Sequence, residues 1–128
     1  MNIPETPAIV VVDDDALYRK VLILLLKKHR FQIFFEAENG SDCLSRMAAI
    51  IALPHVVILD IEMPVMDGFE TAKKLKEKWP QVKIVAHSAI LDARARDKIM
   101  AAGADHFLVK GYESARIAEA VWLVLNEV

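Results

Sequence analysis

Val56-Val57-Ile58-Leu59-Asp60-Ile61-Glu62-Met63-Pro64-Val65-Met66-Asp67-Gly68 is the stretch on which the reading of this chain turns. Four apolar residues, three of them β-branched, run without a break into a carboxylate. Such a run predicts a strand buried on both faces, with Asp60 at its carboxyl tip. Met-Pro and Asp-Gly then supply turn chemistry, and Gly68 opens a helix. In an open α/β sheet the ligand crevice lies outside the carboxyl ends of the strands, where Asp60 is expected.

The same alternation extends in both directions. Upstream, Ala8-Ile9-Val10-Val11-Val12 is a second β-branched run, ending in Asp13-Asp14-Asp15. A helix is expected from about Asp15 to Lys28, with Leu17, Val21, Leu24 and Leu25 on its core stripe and Tyr18 and Leu22 at the edge. Ile23 and Leu26 fall off that stripe. Phe31 to Glu36 reads as a strand, Asn39-Gly40-Ser41 as a turn and cap, and Asp42 to Ile51 as a helix turning Leu44, Met47, Ala48 and Ile51 inward. Downstream, Gly68 to Lys78 is a helix with Phe69, Ala72, Leu75 and Trp79 inward and Lys73, Lys74, Lys76 and Lys78 on a solvated face. Pro80 ends it. Val82 to Ala86 is a strand leading into His87-Ser88, and Asp92 to Ala102 a helix closed by Gly103. His106 to Val109 is a strand leading into Lys110-Gly111, and Ser114 to Glu127 the last helix.

Five strands alternating with five helices predict an α/β fold: a doubly wound, five-stranded parallel sheet with helices on both faces. The apolar strands at Ala8, Val56 and Val82 are expected in the centre. That gives the strand order 2-1-3-4-5, the flavodoxin-like arrangement. The 128 residues suit a single domain with a core from about 8 to 127, and the 55% hydrophobic content is enough to fill both sides of a sheet. A net charge of −2 gives no electrostatic reason to expect nucleic-acid binding. The one cysteine, Cys43, is expected buried and reduced. The lead-in Met1 to Pro7 lacks the pattern of a secretory leader, and no apolar run spans a bilayer, so a cytoplasmic location is expected.

Read only at the carboxyl ends of its strands, the chain delivers Asp13 and Asp14, then Asp60, Ser88 and Lys110 to one edge. Three close carboxylates repel unless a cation sits among them. All the ligands on offer are oxygen, so a hard ion such as Mg²⁺ fits. Lys110 and the Ser88 hydroxyl are then left for phosphoryl oxygens, and Asp60 is free to act as nucleophile.

These pieces together resemble the receiver domain of bacterial response regulators, of the chemotaxis-regulator type, over essentially the whole chain. The likeness rests on Val11-Val12-Asp13-Asp14-Asp15, on Leu59 to Gly68, on His87-Ser88-Ala89, and on Gly103 to Lys110. It implies that a histidine kinase or phosphotransfer protein phosphorylates Asp60. It implies that Asp14 and Asp60 bind Mg²⁺ directly, Asp13 through water, and Glu62 through its backbone carbonyl. Ser88 and Lys110 would sense the phosphoryl group, and Phe107 would be the aromatic switch. The resemblance also implies a signalling switch rather than an enzyme, with only slow self-phosphorylation and autodephosphorylation. Dimerisation through the fourth helix, fifth strand and fifth helix is a further expectation, here with Leu123 on the exposed face. The chain departs from the family in carrying Gly111 where proline usually follows the lysine, and Phe107 where many members carry tyrosine.

Two other classes fit parts of this pattern. A phosphohydrolase with an aspartyl-phosphate intermediate would need a second aspartate two residues after the first, where this chain has Glu62. An interaction module that keeps the fold without phosphorylation would not need Asp13, Asp14, Asp60, Ser88 and Lys110 together. His87 is read as structural or solvent-facing, Asp67 as serving the turn and helix start, and Asp15 as a helix-start charge. Ile23 and Leu26 are read either as scattered exposed residues or as partner contacts.

Overall fold

The computed structural model describes residues 3–89, 92–111 and 114–127, the last segment without the side chains of its first two residues. Its elements alternate as β1 (Ala8–Val12), α1 (Ala16–Lys28), β2 (Gln32–Ala37), α2 (Gly40–Ala49), β3 (Val56–Asp60), α3 (Gly68–Lys78), β4 (Lys83–Ser88), α4 (Ala93–Ala102), β5 (His106–Val109) and α5 (Ser114–Leu125). The strands form one sheet in the order β2-β1-β3-β4-β5, and every pairing is parallel, as the alternation predicts.

Because successive strand residues point to opposite faces, each β-branched run feeds two cores. Val10, Val12, Val57, Leu59, Ile84 and Ala86 join Cys43 and Met47 of α2, Ala72 and Leu75 of α3 and Ile99 of α4. Ile9, Val11, Val56, Ile58 and Val85 join Leu22, Ile23 and Leu26 of α1 and Val121 and Val124 of α5. All five residues of β3 are buried. The register pairs Val12 with Leu59, Asp60 with His87 and Ser88 with Val109, which brings the strand ends to one edge.

Local chemistry starts and stops the helices. Asp15, Asn39 and Asp67 cap α1, α2 and α3 by accepting from Tyr18 N, Asp42 N and Glu70 N. Gly103, at φ 121, terminates α4. Gly40 is needed where α2 meets α3, since a Cβ there would overlap Thr71 Oγ1. With Asn39 as its cap, α2 begins two residues earlier than its polar start suggested. Among the described residues no helix is long and apolar enough to cross a membrane.

Three expectations are corrected. On α1 the core face is Leu22, Ile23 and Leu26, while Leu17 is 74% and Leu24 67% exposed. This helix carries apolar residues almost all round, so periodicity alone supports two stripes. Lys20, Lys27 and Lys28 share the outer side with Leu17, Val21 and Leu24 at helical spacing, and that charge pattern is the signal that separates the faces. On α2, Cys43 and Met47 are buried, whereas Ala48 is exposed and Ile51 lies beyond the helix end in solvent. On α3, Lys76 is not part of a solvated face: its ammonium lies 2.8 Å from Asp105 Oδ2 and donates to Val82 O at 2.8 Å. Asp105 also accepts from Ile84 N at 2.7 Å, which ties α3 to the start of β4.

The assignment of the α1 faces has a direct test in urea unfolding. Leu26→Ala should cost about 2–5 kcal/mol by opening a core cavity. Leu24→Ala should cost less than about 0.5 kcal/mol. The reverse order would restore the other stripe to the core.

Candidate functional site

The site is built where β1, β3, β4 and β5 end. Asp13 and Asp60 are each only 2% exposed, while Asp14 next to them is open to solvent. Carboxylate oxygens from Asp13, Asp14 and Asp60 all lie within 4.8 Å of one another. Lys110, one residue past β5, reaches over the end of β4 to meet them. Its Nζ is 2.9 Å from Asp13 Oδ2 and 3.3 Å from Asp60 Oδ1. The backbone holds the lysine in line, because Lys110 N donates to Ser88 O at 2.7 Å. Asp13 is fixed on its other side by Asp15 N, which donates to Asp13 Oδ1 at 2.9 Å. Arg19 donates to Asp13 O at 2.6 Å and pairs with Glu36 at 2.7 Å, so one guanidinium ties α1 to the ends of β1 and β2.

The loop after Asp60 is folded tightly back on the strand. Gly68 N donates to Ile61 O at 2.9 Å, and a Cβ on Gly68 would come within 2.6 Å of Asp60 O and Ile61 Cα. Only glycine lets α3 start this close to the end of β3. Between them, Met66 N donates to Pro64 O at 2.8 Å across Val65, whose φ is 70. A β-branched residue with positive φ in a three-residue turn is strained, and strain of this kind concentrates beside functional groups.

Ser88 is fully buried, and its hydroxyl donates to Glu62 Oε1 at 2.6 Å. Phe107 is half-buried against the core on the α4 side, paired in register with Ala86. Asp13, Asp14, Asp60 and Lys110 are therefore brought together as read from the strand ends, while Ser88 meets Lys110 through its backbone and turns its hydroxyl to Glu62.

Burial and the neighbouring Asp13 carboxylate push the Asp60 carboxyl up to about 8, against the pull of Lys110. Burial works against the Lys110 ammonium, but the hydrogen bond and charge of Asp13, with those of Asp60, outweigh it and its pKa rises. The cluster is thus short of positive charge. Asp60 Oδ1 is buried with no hydrogen-bond donor on it among the described residues, and one ammonium at 3.3 Å is its only ion pair there. An all-oxygen set with an unsatisfied buried carboxylate fits a hard divalent cation.

Sequence reasoning missed two contributors. Tyr18 is not a core-edge residue alone: its ring faces Lys110 Nζ at 4.6 Å, and its hydroxyl lies 3.2 Å from His87 Nε2. His87 is the buried, structural residue of its two expected alternatives, at 4% exposure. Burial, helped by the Lys110 charge, lowers its pKa to about 4. A histidine paired in register with a site aspartate was the available signal.

Comparison with known proteins agrees with this fold. The response regulator receiver domain family matches residues 9–122. The chemotaxis protein CheY of Bacillus subtilis is 34% identical over 118 residues, covering 92% of this chain and 97% of its own. The receiver domain of the response regulator NarL from Mycobacterium tuberculosis superposes with a TM-score of 0.87 at 28% identity, over 95% of this chain and 98% of that one. A chain of the CheX–CheY–BeF3–Mg²⁺ complex of Borrelia burgdorferi shares the fold with a TM-score of 0.88 at 24% identity, over 94% and 90% of the two chains. The chain belongs to the response regulator receiver domain family, and within it is of the CheY type.

The charge balance of the site predicts a pH-dependent stability. For Asp60, the folded pKa of about 8 lies above the ordinary 3.8. Between those values the folded state holds more proton than the unfolded one, so this group's contribution falls as pH rises from about 4 through about 8. In the presence of a chelator, Asp60→Asn should therefore stabilise the protein at pH 8, by roughly 1–3 kcal/mol, with a smaller gain at pH 5. Urea titrations at the two pH values check this; a destabilised variant at pH 8 would contradict it.

Proposed function

We propose that this chain is a phospho-acceptor switch in two-component signalling, with Asp60 as the residue that takes the phosphoryl group. The observation that carries the reading is the buried Asp60 carboxylate at the end of β3, with Asp13, Asp14 and Lys110 converging on it. The donor is a sensor histidine kinase or a phosphotransfer protein. Asp60 attacks the phosphorus in line as the donor's bond to it breaks. Asp14 and Asp60 would hold Mg²⁺ directly, Asp13 through water, and Glu62 through its backbone carbonyl. When bound, the ion would supply positive charge against the transferring group. Lys110 binds one phosphoryl oxygen and fixes its orientation.

Ser88 is the residue that reads the product. Its hydroxyl donates to Glu62 before phosphorylation. A phosphoryl group on Asp60 offers it a stronger acceptor, so Ser88 exchanges partners and draws the end of β4 toward the site. Phe107, half-buried beside β4, turns inward as that end moves. Phosphorylation thus shifts a two-state equilibrium and performs no turnover on an external substrate beyond slow self-phosphorylation and hydrolysis. The chain acts as one domain in the cytoplasm and makes no direct contact with nucleic acid or membrane.

The output surface is the face of α4, β5 and α5, where Leu123 is 50% exposed while its neighbour Trp122 packs on Phe31 with ring centroids 5.5 Å apart. This face pairs with a second copy after phosphorylation. Sedimentation should show a monomer that dimerises with a beryllium fluoride phosphate mimic, and Leu123→Asp should stay monomeric; a monomer in both states at high concentration would remove the dimer.

Intact mass after incubation with acetyl phosphate tests the main reading. One added phosphoryl group is expected with Mg²⁺, and none with a chelator or in Asp60→Asn. Absence of an adduct together with no binding of the beryllium fluoride mimic would leave the fold as a phosphorylation-independent binding module.

A further inference from the structure

Lys110 is aimed by side chains as well as by its backbone. Its amide is tied to Ser88 O, but Gly111 follows it, exposed, with nothing within 4 Å of where a Cβ would stand. Glycine leaves the chain free to turn. The ammonium has three donors, and the carboxylates of Asp13 and Asp60 account for its two ion pairs among the described residues. The face of the Tyr18 ring supplies a further contact, with Nζ 4.6 Å from the centroid. An ammonium at that distance is attracted by the electron-rich face of the ring, more strongly where water is thin. The Lys110 side chain is only 16% exposed, so the contact is largely shielded.

The tyrosine is itself anchored. Its hydroxyl meets Nε2 of His87, and the two rings are tilted with centroids 5.6 Å apart. His87 sits on β4 at the register position paired with Asp60. Its Nδ1 is buried with no hydrogen-bond partner among the described residues, a cost that an apolar side chain in the same space would avoid. The contact with Tyr18 is what a histidine adds there. Burial keeps the ring neutral at working pH, so it anchors the tyrosine without adding positive charge beside Lys110.

We propose that Tyr18, tethered through its hydroxyl to His87, is a positioning residue whose ring face holds the Lys110 ammonium against Asp13 and Asp60 and so aims it at the phosphoryl group. This rests on the reading of Asp60 as phospho-acceptor and assigns the support of that site's lysine.

The test compares wild type, Tyr18→Phe, which keeps the ring face, and Tyr18→Leu, which keeps apolar bulk without it. The rate of phosphorylation by acetyl phosphate in saturating Mg²⁺ should fall about fivefold to tenfold in the leucine variant and by no more than about twofold in the phenylalanine variant. In the NMR spectrum, the ε-methylene protons of Lys110 should be shifted upfield by the ring current in wild type and Tyr18→Phe, and return toward the ordinary position in Tyr18→Leu. That shift reports the ring-face contact itself, and the difference in rate between the two variants reports whether the contact positions the lysine. Wild-type rates in the leucine variant, equal slowing in both variants, or an unshifted Lys110 in wild type would each overturn the proposal. If the leucine variant does not fold, the wild-type and phenylalanine spectra carry the test. A wild-type protein that takes no phosphoryl group and does not bind the beryllium fluoride mimic would sink the acceptor reading, whereas the ring-current shift in the same sample still reports on the tyrosine–lysine contact.

Discussion

The ion pairs of Lys110 with Asp13 and Asp60 are the constraint around which this molecule is arranged. Two nearly buried carboxylates beside a third would be unstable in the interior of any small protein without a compensating cation. The compensation comes from another part of the chain, and the order of the strands delivers it. Asp13 ends β1, Asp60 ends β3, and β5 lies beyond β4 from both. A residue just past β5 must therefore cross the end of β4, a span that a lysine side chain covers. A slip of one residue in any of these parallel registers would turn the charged ends to the wrong face of the sheet.

Even with that lysine the site remains too negative, and this imbalance is chemically useful. Asp60 is held with a pKa well above that of an ordinary carboxyl, an unsatisfied oxygen and a strained loop immediately after it. Stability is given up locally where a cation and a phosphoryl group could restore it. The rest of the sheet, with β-branched runs packed on both faces, carries the cost of this arrangement.

Consecutive residues at the end of β4 divide the site between the two faces. Ser88 bonds to Glu62 on the loop after β3, while His87 turns to Tyr18 on α1. The strand end is thus coupled to one polar contact on each side. In the proposed switch, a change at Asp60 that recruited Ser88 would act on the same short segment that meets Tyr18.

The strands, their order and the acidic edge were legible in the sequence because each rests on a local pattern. Continuous β-branched runs mark central parallel strands, alternation with helices sets the layering, and a carboxylate ending such a run has one edge of the sheet to occupy. The buried Cys43 and the capping role of Asp67 follow from equally local chemistry. Tertiary structure decided what local pattern left open. The inward side of α1 is Leu22, Ile23 and Leu26 because that face meets β1 and β3 and lets Arg19 reach Asp13 O, a choice that a helix apolar almost all round does not make by itself. Lys76 left its solvated face because Asp105, distant in sequence, came within 2.8 Å. Tyr18, His87 and Lys110 met for the same reason: no spacing rule links residues on one helix and two strand ends, and only the packing of α1 across the finished sheet brings them into contact.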